Sequence, residues 1–152
     1  MTTLHLKQTT TATPEQFLAG LTDFGPGRSE IFHNSVDGYL EVHERGPNHA
    51  DVTEGSRGVW ERLDYDWSDP NHVVMKTIDS NLWGGNSGHT YTFSRLPDQT
   101  TEVDVTVVRE GKNFRGRLIA LGLAAVGRRA FSKELGRTAR AIEDRHYGPD
   151  TG

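Results

Sequence analysis

Asn113 to Arg145 read NFRGRLIALGLAAVGRRAFSKELGRTARAIEDR, and no proline interrupts them. Phe114, Leu118, Leu121, Ala125, Leu135, Ala139 and Ile142 recur at helical spacing, the pattern of one long helix with one apolar stripe. Asn113 suits the N-cap, and Gly148-Pro149 is a stop signal just beyond the end. Four glycines lie inside: Gly116, Gly122, Gly127 and Gly136. Each costs about 1 kcal/mol against alanine. Around Gly122, Ala124, Ala125 and Gly127 there is almost no side-chain volume. Small residues permit close approach, either of another backbone or of a guest molecule.

Upstream of the helix the pattern is mostly strand. Thr2–Thr11 alternates and is rich in threonine. Thr13-Pro14-Glu15-Gln16 opens a short helix, with Thr13 as cap and Gln16 as its capping-box partner. A second short helix is expected over Arg28–His33. Strands follow at Tyr39–Glu44, Ala50–Glu54, Val59–Trp67, Val73–Ser80, His89–Leu96 and Thr101–Gly111, separated by Gly, Pro, Asn and Asp turns. Strands first and a long helix last argue an α+β fold. A curved antiparallel sheet of about seven strands must have one face covered, and only the C-terminal helix is long enough to do it. Residues 1–147 are expected to form one domain, and 148–152 a disordered tail.

The 152 residues carry a net charge of −4, unevenly spread. Residues 1–108 hold −9 and residues 109–152 hold +5. The basic excess lies on the helix, where Arg and Lys ordinarily form a solvated face or pair with an acidic sheet edge. Nucleic acid is therefore not expected as a partner. No run of about 18 apolar residues exists, so no membrane span is expected. With no cysteine and no signal-like N-terminus, a cytoplasmic location is the default expectation.

The order of elements resembles the START-like, or Bet v 1-like, superfamily, also known as the polyketide cyclase/dehydrase and lipid transport group (SRPBCC). Local phrases carry the resemblance over nearly the whole chain: Thr13-Pro14-Glu15-Gln16-Phe17, Val59-Trp60-Glu61-Arg62-Leu63-Asp64-Tyr65, and Val107-Val108-Arg109-Glu110-Gly111-Lys112. It implies a helix-grip fold. It also implies an apolar or amphipathic molecule held between the sheet's concave face and the terminal helix. The superfamily has no universal catalytic motif, so no catalytic residue is carried over.

Alternation names the side chains that would face such a cavity. Val103, Val105, Val107 and Arg109 share one face; so do Met75, Thr77 and Asp79, and Tyr91 with Phe93. Val59, Leu63, Tyr65 and Trp67 join the wall, and Leu121 and Ala125 would face it from the helix. Arg109 and Asp79 extend apolar faces, and an inward charge needs a partner. Two readings stand: they pair with each other or lie in water at the rim, or Arg109 binds an acidic ligand group in its planar fork. Trp83, beside Gly84–Gly88 and His89, is either a lid over the mouth or core packing. The ligand-contact candidates are therefore Arg109, Asp79, Tyr91, Phe93, Met75, Trp83, His89, Val107, Leu121 and Ala125.

Two functions compete. One is binding or carrying a small hydrophobic molecule, lipid or polyketide-like. The other is a cyclase or dehydratase acting on such a molecule, with Arg109, Tyr91 and His89 as candidates. A third, weaker reading is a protein-interaction role for the basic helix face. No two of the seven histidines have zincin spacing, so no metal is expected, and no G-x-S-x-G elbow is present to mark a Ser–His–Asp triad; no cofactor is expected either. The sequence leaves the ligand, the reaction and the oligomeric state open.

Overall fold

In the computed structural model, seven antiparallel strands form one curved sheet gripping a long C-terminal helix. The structure describes residues 1–32, 35, 37–56 and 58–145. The strands are β1 (Thr2–Thr10), β2 (Glu41–Arg45), β3 (His49–Ser56), β4 (Val59–Asp69), β5 (His72–Ser80), β6 (Gly88–Arg95) and β7 (Thr101–Arg109). The helices are α1 (Pro14–Leu21) and α2 (Phe114–Arg145). Sheet order is β1-β7-β6-β5-β4-β3-β2, a meander whose last strand folds back onto its first. Leu4 lies opposite Val107, and Leu6 opposite Val105.

Local chemistry sets the ends of the elements. Gln16 N–H donates to Thr13 Oγ1 and Thr13 N–H to Gln16 Oε1, the reciprocal box expected at the start of α1. Asn113 caps α2, its side-chain oxygen accepting from Gly116 N–H at 2.8 Å. The segment expected as a helix over Arg28–His33 is a single 3-10 turn at Arg28–Glu30, with another at Asp37–Tyr39. His33, the stop at Gly148-Pro149 and the tail 148–152 lie outside the described residues.

The C-terminal half of α2 packs Leu135, Ala139 and Ile142 over buried Leu4, Leu6, Val103, Val105 and Val107. Each large aliphatic side chain so buried contributes about 1.5–3 kcal/mol. Helix α1 fits against α2 at Gly20, where a Cβ would lie 2.6 Å from Ile142. Polar ties fix the long helix along its length. Thr2 Oγ1 donates to Ala120 O, Thr138 Oγ1 to Ile31 O, and Thr10 Oγ1 to Glu143 Oε2.

The N-terminal half of α2 corrects the expected stripe. Phe114, Leu118 and Leu121 are 76%, 53% and 69% exposed, and Ala125 is exposed as well. The inward side is instead Gly116, Ile119, Ala120, Leu123 and Gly127. Gly116 sits there because its backbone lies against the carbonyl of Leu82, where a Cβ would collide. Gly122, Ala124 and Ala125 face outward, so their small size leaves no room for a guest.

Candidate functional site

Between the sheet and α2 lies a cavity of about 370 Å³. Its floor comes from alternate residues of the strands, among them Glu54, Glu61, Leu63, Tyr65, Met75, His89, Tyr91, Val107 and Arg109. Its roof is Ile119, Leu123, Phe131 and Leu135 of α2. Trp60 both lines it and is open to solvent, which marks one edge of the mouth. An apolar hollow with a few polar groups is the usual make-up of a small-molecule site.

Two charged clusters are set into the wall. In the first, Arg109 Nη1 donates to Glu61 Oε2 at 2.7 Å, and Thr77 Oγ1 donates to the same oxygen. Arg109 Nη2 lies 2.9 Å from His89 Nε2. A guanidinium can only donate, so His89 Nε2 must accept, and its ring proton sits on Nδ1. The Arg109 guanidinium carbon also lies over the Trp83 ring, 5.1 Å from its centre. Burial first, and then the Arg109 charge, push the His89 pKa down to about 3. This imidazole therefore stays neutral at ordinary pH.

The second cluster ties the segment after α1 to β3 and β4. Arg28 is buried, with its guanidinium carbon over the rings of both Phe24 and Phe32. It donates to Glu54 Oε1, to the carbonyls of Asp23 and Leu21, and to Tyr65 Oη. Tyr65 Oη donates in turn to Glu54 Oε2, and Ser35 Oγ to Glu54 Oε1. Burial, then the Glu54 carboxylate, push the Tyr65 phenol well above its ordinary pKa. With this many protein partners, the cluster is a structural clamp before it is anything else.

Three wall groups are different. The Tyr91 hydroxyl, the Trp83 indole N–H and the His89 Nδ1–H have no hydrogen-bond partner among the described residues. None is sealed away, since no fully buried side-chain N or O among the described residues lacks a partner. Burial pushes the Tyr91 phenol up to about 12, so it remains a donor. All three residues line the cavity, beside the two charged clusters.

Of the residues expected from the sequence, Arg109, Tyr91, Met75, Trp83, His89 and Val107 line this cavity together. The others lie elsewhere. Phe93 is core, its ring centre 5.5 Å from that of Phe17. Leu121 and Ala125 face outward on α2. Asp79 is on the outer surface, 3.4 Å from Lys112. The cause is a bulge: Arg62 pairs with Asp79 but Leu63 pairs with Thr77, so Ile78 is extra and the alternation slips. Arg109 accordingly pairs with Glu61, not Asp79. Trp83 is 7% exposed, bridged to Gly111 and packed with Leu82 and Ala120, and stands in the cavity wall.

Glu54 and Glu61 went unread, although the rule that found their neighbours finds them too. Ala50, Val52 and Glu54 share a face, as do Val59, Glu61, Leu63 and Tyr65. Arg28 carries no such signal, because it stands in an irregular segment.

No family profile matches the sequence. No curated protein is detectably similar to it either. Solved structures are similar in shape. The protein TTHA0849 of Thermus thermophilus superposes with a TM-score of 0.73 at 15% identity, covering 95% of this chain and 99% of that one. The Zhui aromatase/cyclase of Streptomyces sp. R1128 gives 0.70 at 16% identity, over 99% and 98%. A START superfamily protein of Mycobacterium smegmatis gives 0.66 at 13% identity, over 94% and 95%. The chain has the START-like, Bet v 1-like helix-grip fold, the fold also of polyketide aromatase/cyclases.

Proposed function

We propose that this protein binds a small hydrophobic or amphipathic molecule in the hollow between sheet and α2. One observation carries the reading: a mostly apolar cavity of about 370 Å³ whose lining residues Tyr91, Trp83 and His89 each carry a donor with no partner among the described residues. Unused donors favour a ligand bearing carbonyl, ether or phenolic oxygens. They favour a carboxylate less, because the Arg109 charge already faces Glu61. The apolar walls contribute most of the affinity, and the donors orient the guest.

An enzyme reading, cyclase or dehydratase, gains support from the fold shared with Zhui aromatase/cyclase and from the Arg109–Glu61–His89 cluster on the wall. His89 is poorly suited as its base, because Nε2 is occupied by Arg109 and its pKa is near 3. Tyr91 is the better placed group, as a donor that polarises a carbonyl. Binding alone requires none of this chemistry.

A thermal-shift screen of aromatic polyketones, quinones and fatty acids tests the proposal, since a ligand that binds only the folded state raises the unfolding temperature. The expected result is a shift with an oxygenated apolar compound, abolished by Leu123→Trp, which fills the hollow from its half-exposed roof. Shifts that survive Leu123→Trp would place binding outside the cavity and overturn the reading. Turnover of a bound polyketone that falls with Tyr91→Phe would select the enzyme.

A further inference from the structure

We propose that the outer face of the N-terminal half of α2 is a docking surface for anionic membranes. Phe114, Leu118, Leu121 and Ala125 form one exposed apolar stripe, on the side opposite buried Gly116 and Gly127. Apolar residues of this size are ordinarily scattered singly over a surface, not lined up along three turns.

The charge next to the stripe identifies the occupant. Arg117 and Arg128 fall on one flank, and Arg115 and Arg129 on the other, all exposed. Between Gly111 and Lys133 there is no acidic residue, although the whole chain is net negative. Arginines on both flanks of an apolar stripe can lay their stems along it and lift their guanidiniums to headgroup level. Each cation near an anionic leaflet adds to the attraction. A second copy of this chain fits poorly, because symmetric pairing would set the two arginine rows against each other. No helix among the described residues is long and apolar enough to cross a bilayer. This one would lie on it, with Ile119 and Leu123 on the same turns facing inward to the cavity.

Flotation with vesicles is the test. The full chain is mixed with vesicles of phosphatidylcholine plus phosphatidylserine, and with vesicles of phosphatidylcholine alone. We expect flotation with the first and little with the second. Leu121→Asp and the pair Arg128→Gln, Arg129→Gln should each weaken it about tenfold or more, and added salt should do the same. Both sites are exposed, so the variants should keep the wild-type unfolding temperature. The proposal is overturned by absence of flotation, or by flotation that neither variant changes. It is overturned too if Leu121→Asp breaks a dimer seen in sedimentation, which would give the face to a second copy. None of these outcomes depends on whether a ligand occupies the cavity.

Discussion

Arg109 and Glu61 meet at 2.7 Å on the cavity wall, one at the end of β7 and the other inside β4, both more than nine-tenths buried. Neither charge is tolerable there without the other. Arg109→Ala strands a carboxylate, and Glu61→Leu strands a guanidinium. Each should cost about 3–5 kcal/mol in urea unfolding. The double variant should recover much of that loss. Single losses that simply add would show that the two charges act independently.

Two tyrosines on the same wall should separate structure from function. Tyr65 Oη is held by Arg28 and Glu54, so Tyr65→Phe should lose about 1–3 kcal/mol of stability. Tyr91 Oη has no partner among the described residues, so Tyr91→Phe should change stability by less than about 0.5 kcal/mol. Its effect belongs on ligand affinity, read by titration calorimetry. A large stability loss at Tyr91 would mean that its hydroxyl serves the fold.

His89 should leave a mark on the pH profile. Its folded pKa of about 3 lies below the ordinary value of 6.5. Below pH 6.5 the unfolded chain takes up a proton that the folded chain refuses. The contribution is therefore whole above pH 6.5 and is lost progressively as pH falls toward 3, by at most about 1.4 kcal/mol per pH unit. His89→Gln keeps an acceptor for Arg109 and removes the titration. Its stability should fall less steeply than wild type between pH 6.5 and 5.5, above most of the range in which carboxylates titrate. Parallel curves in urea unfolding would refute this.

The glycines of α2 should respond in opposite directions. Gly122→Ala meets nothing within 4 Å and should stabilise by up to about 1 kcal/mol. Gly116→Ala drives a Cβ into the Leu82 carbonyl, and should cost more than the propensity it gains. Thermal unfolding of the two variants, side by side, measures the difference.

The sheet was easy to read because its period is two and one face is buried. That is why Val103, Val105, Val107 and Arg109 could be placed on one wall. The reading failed at Asp79, where the single extra residue Ile78 shifts the alternation. It failed again at Phe114, Leu118 and Leu121. Helical periodicity reports where large apolar side chains lie, whereas the buried side there is built largely from Gly116, Ala120 and Gly127. Close approach selects small residues, and small residues give almost no hydropathic signal.

Alternation, caps and turn residues are local, and they sufficed to determine seven strands, a capped first helix and one long last helix. The packing of that helix was decided only in three dimensions. So were the Arg28–Glu54–Tyr65 and Arg109–Glu61–His89 clusters and the hollow between them. Bonded members of the clusters lie between 11 and 48 residues apart in the chain, and a charge's partner depends on which strands become neighbours. Whether an apolar residue is core or surface depends likewise on what packs against it.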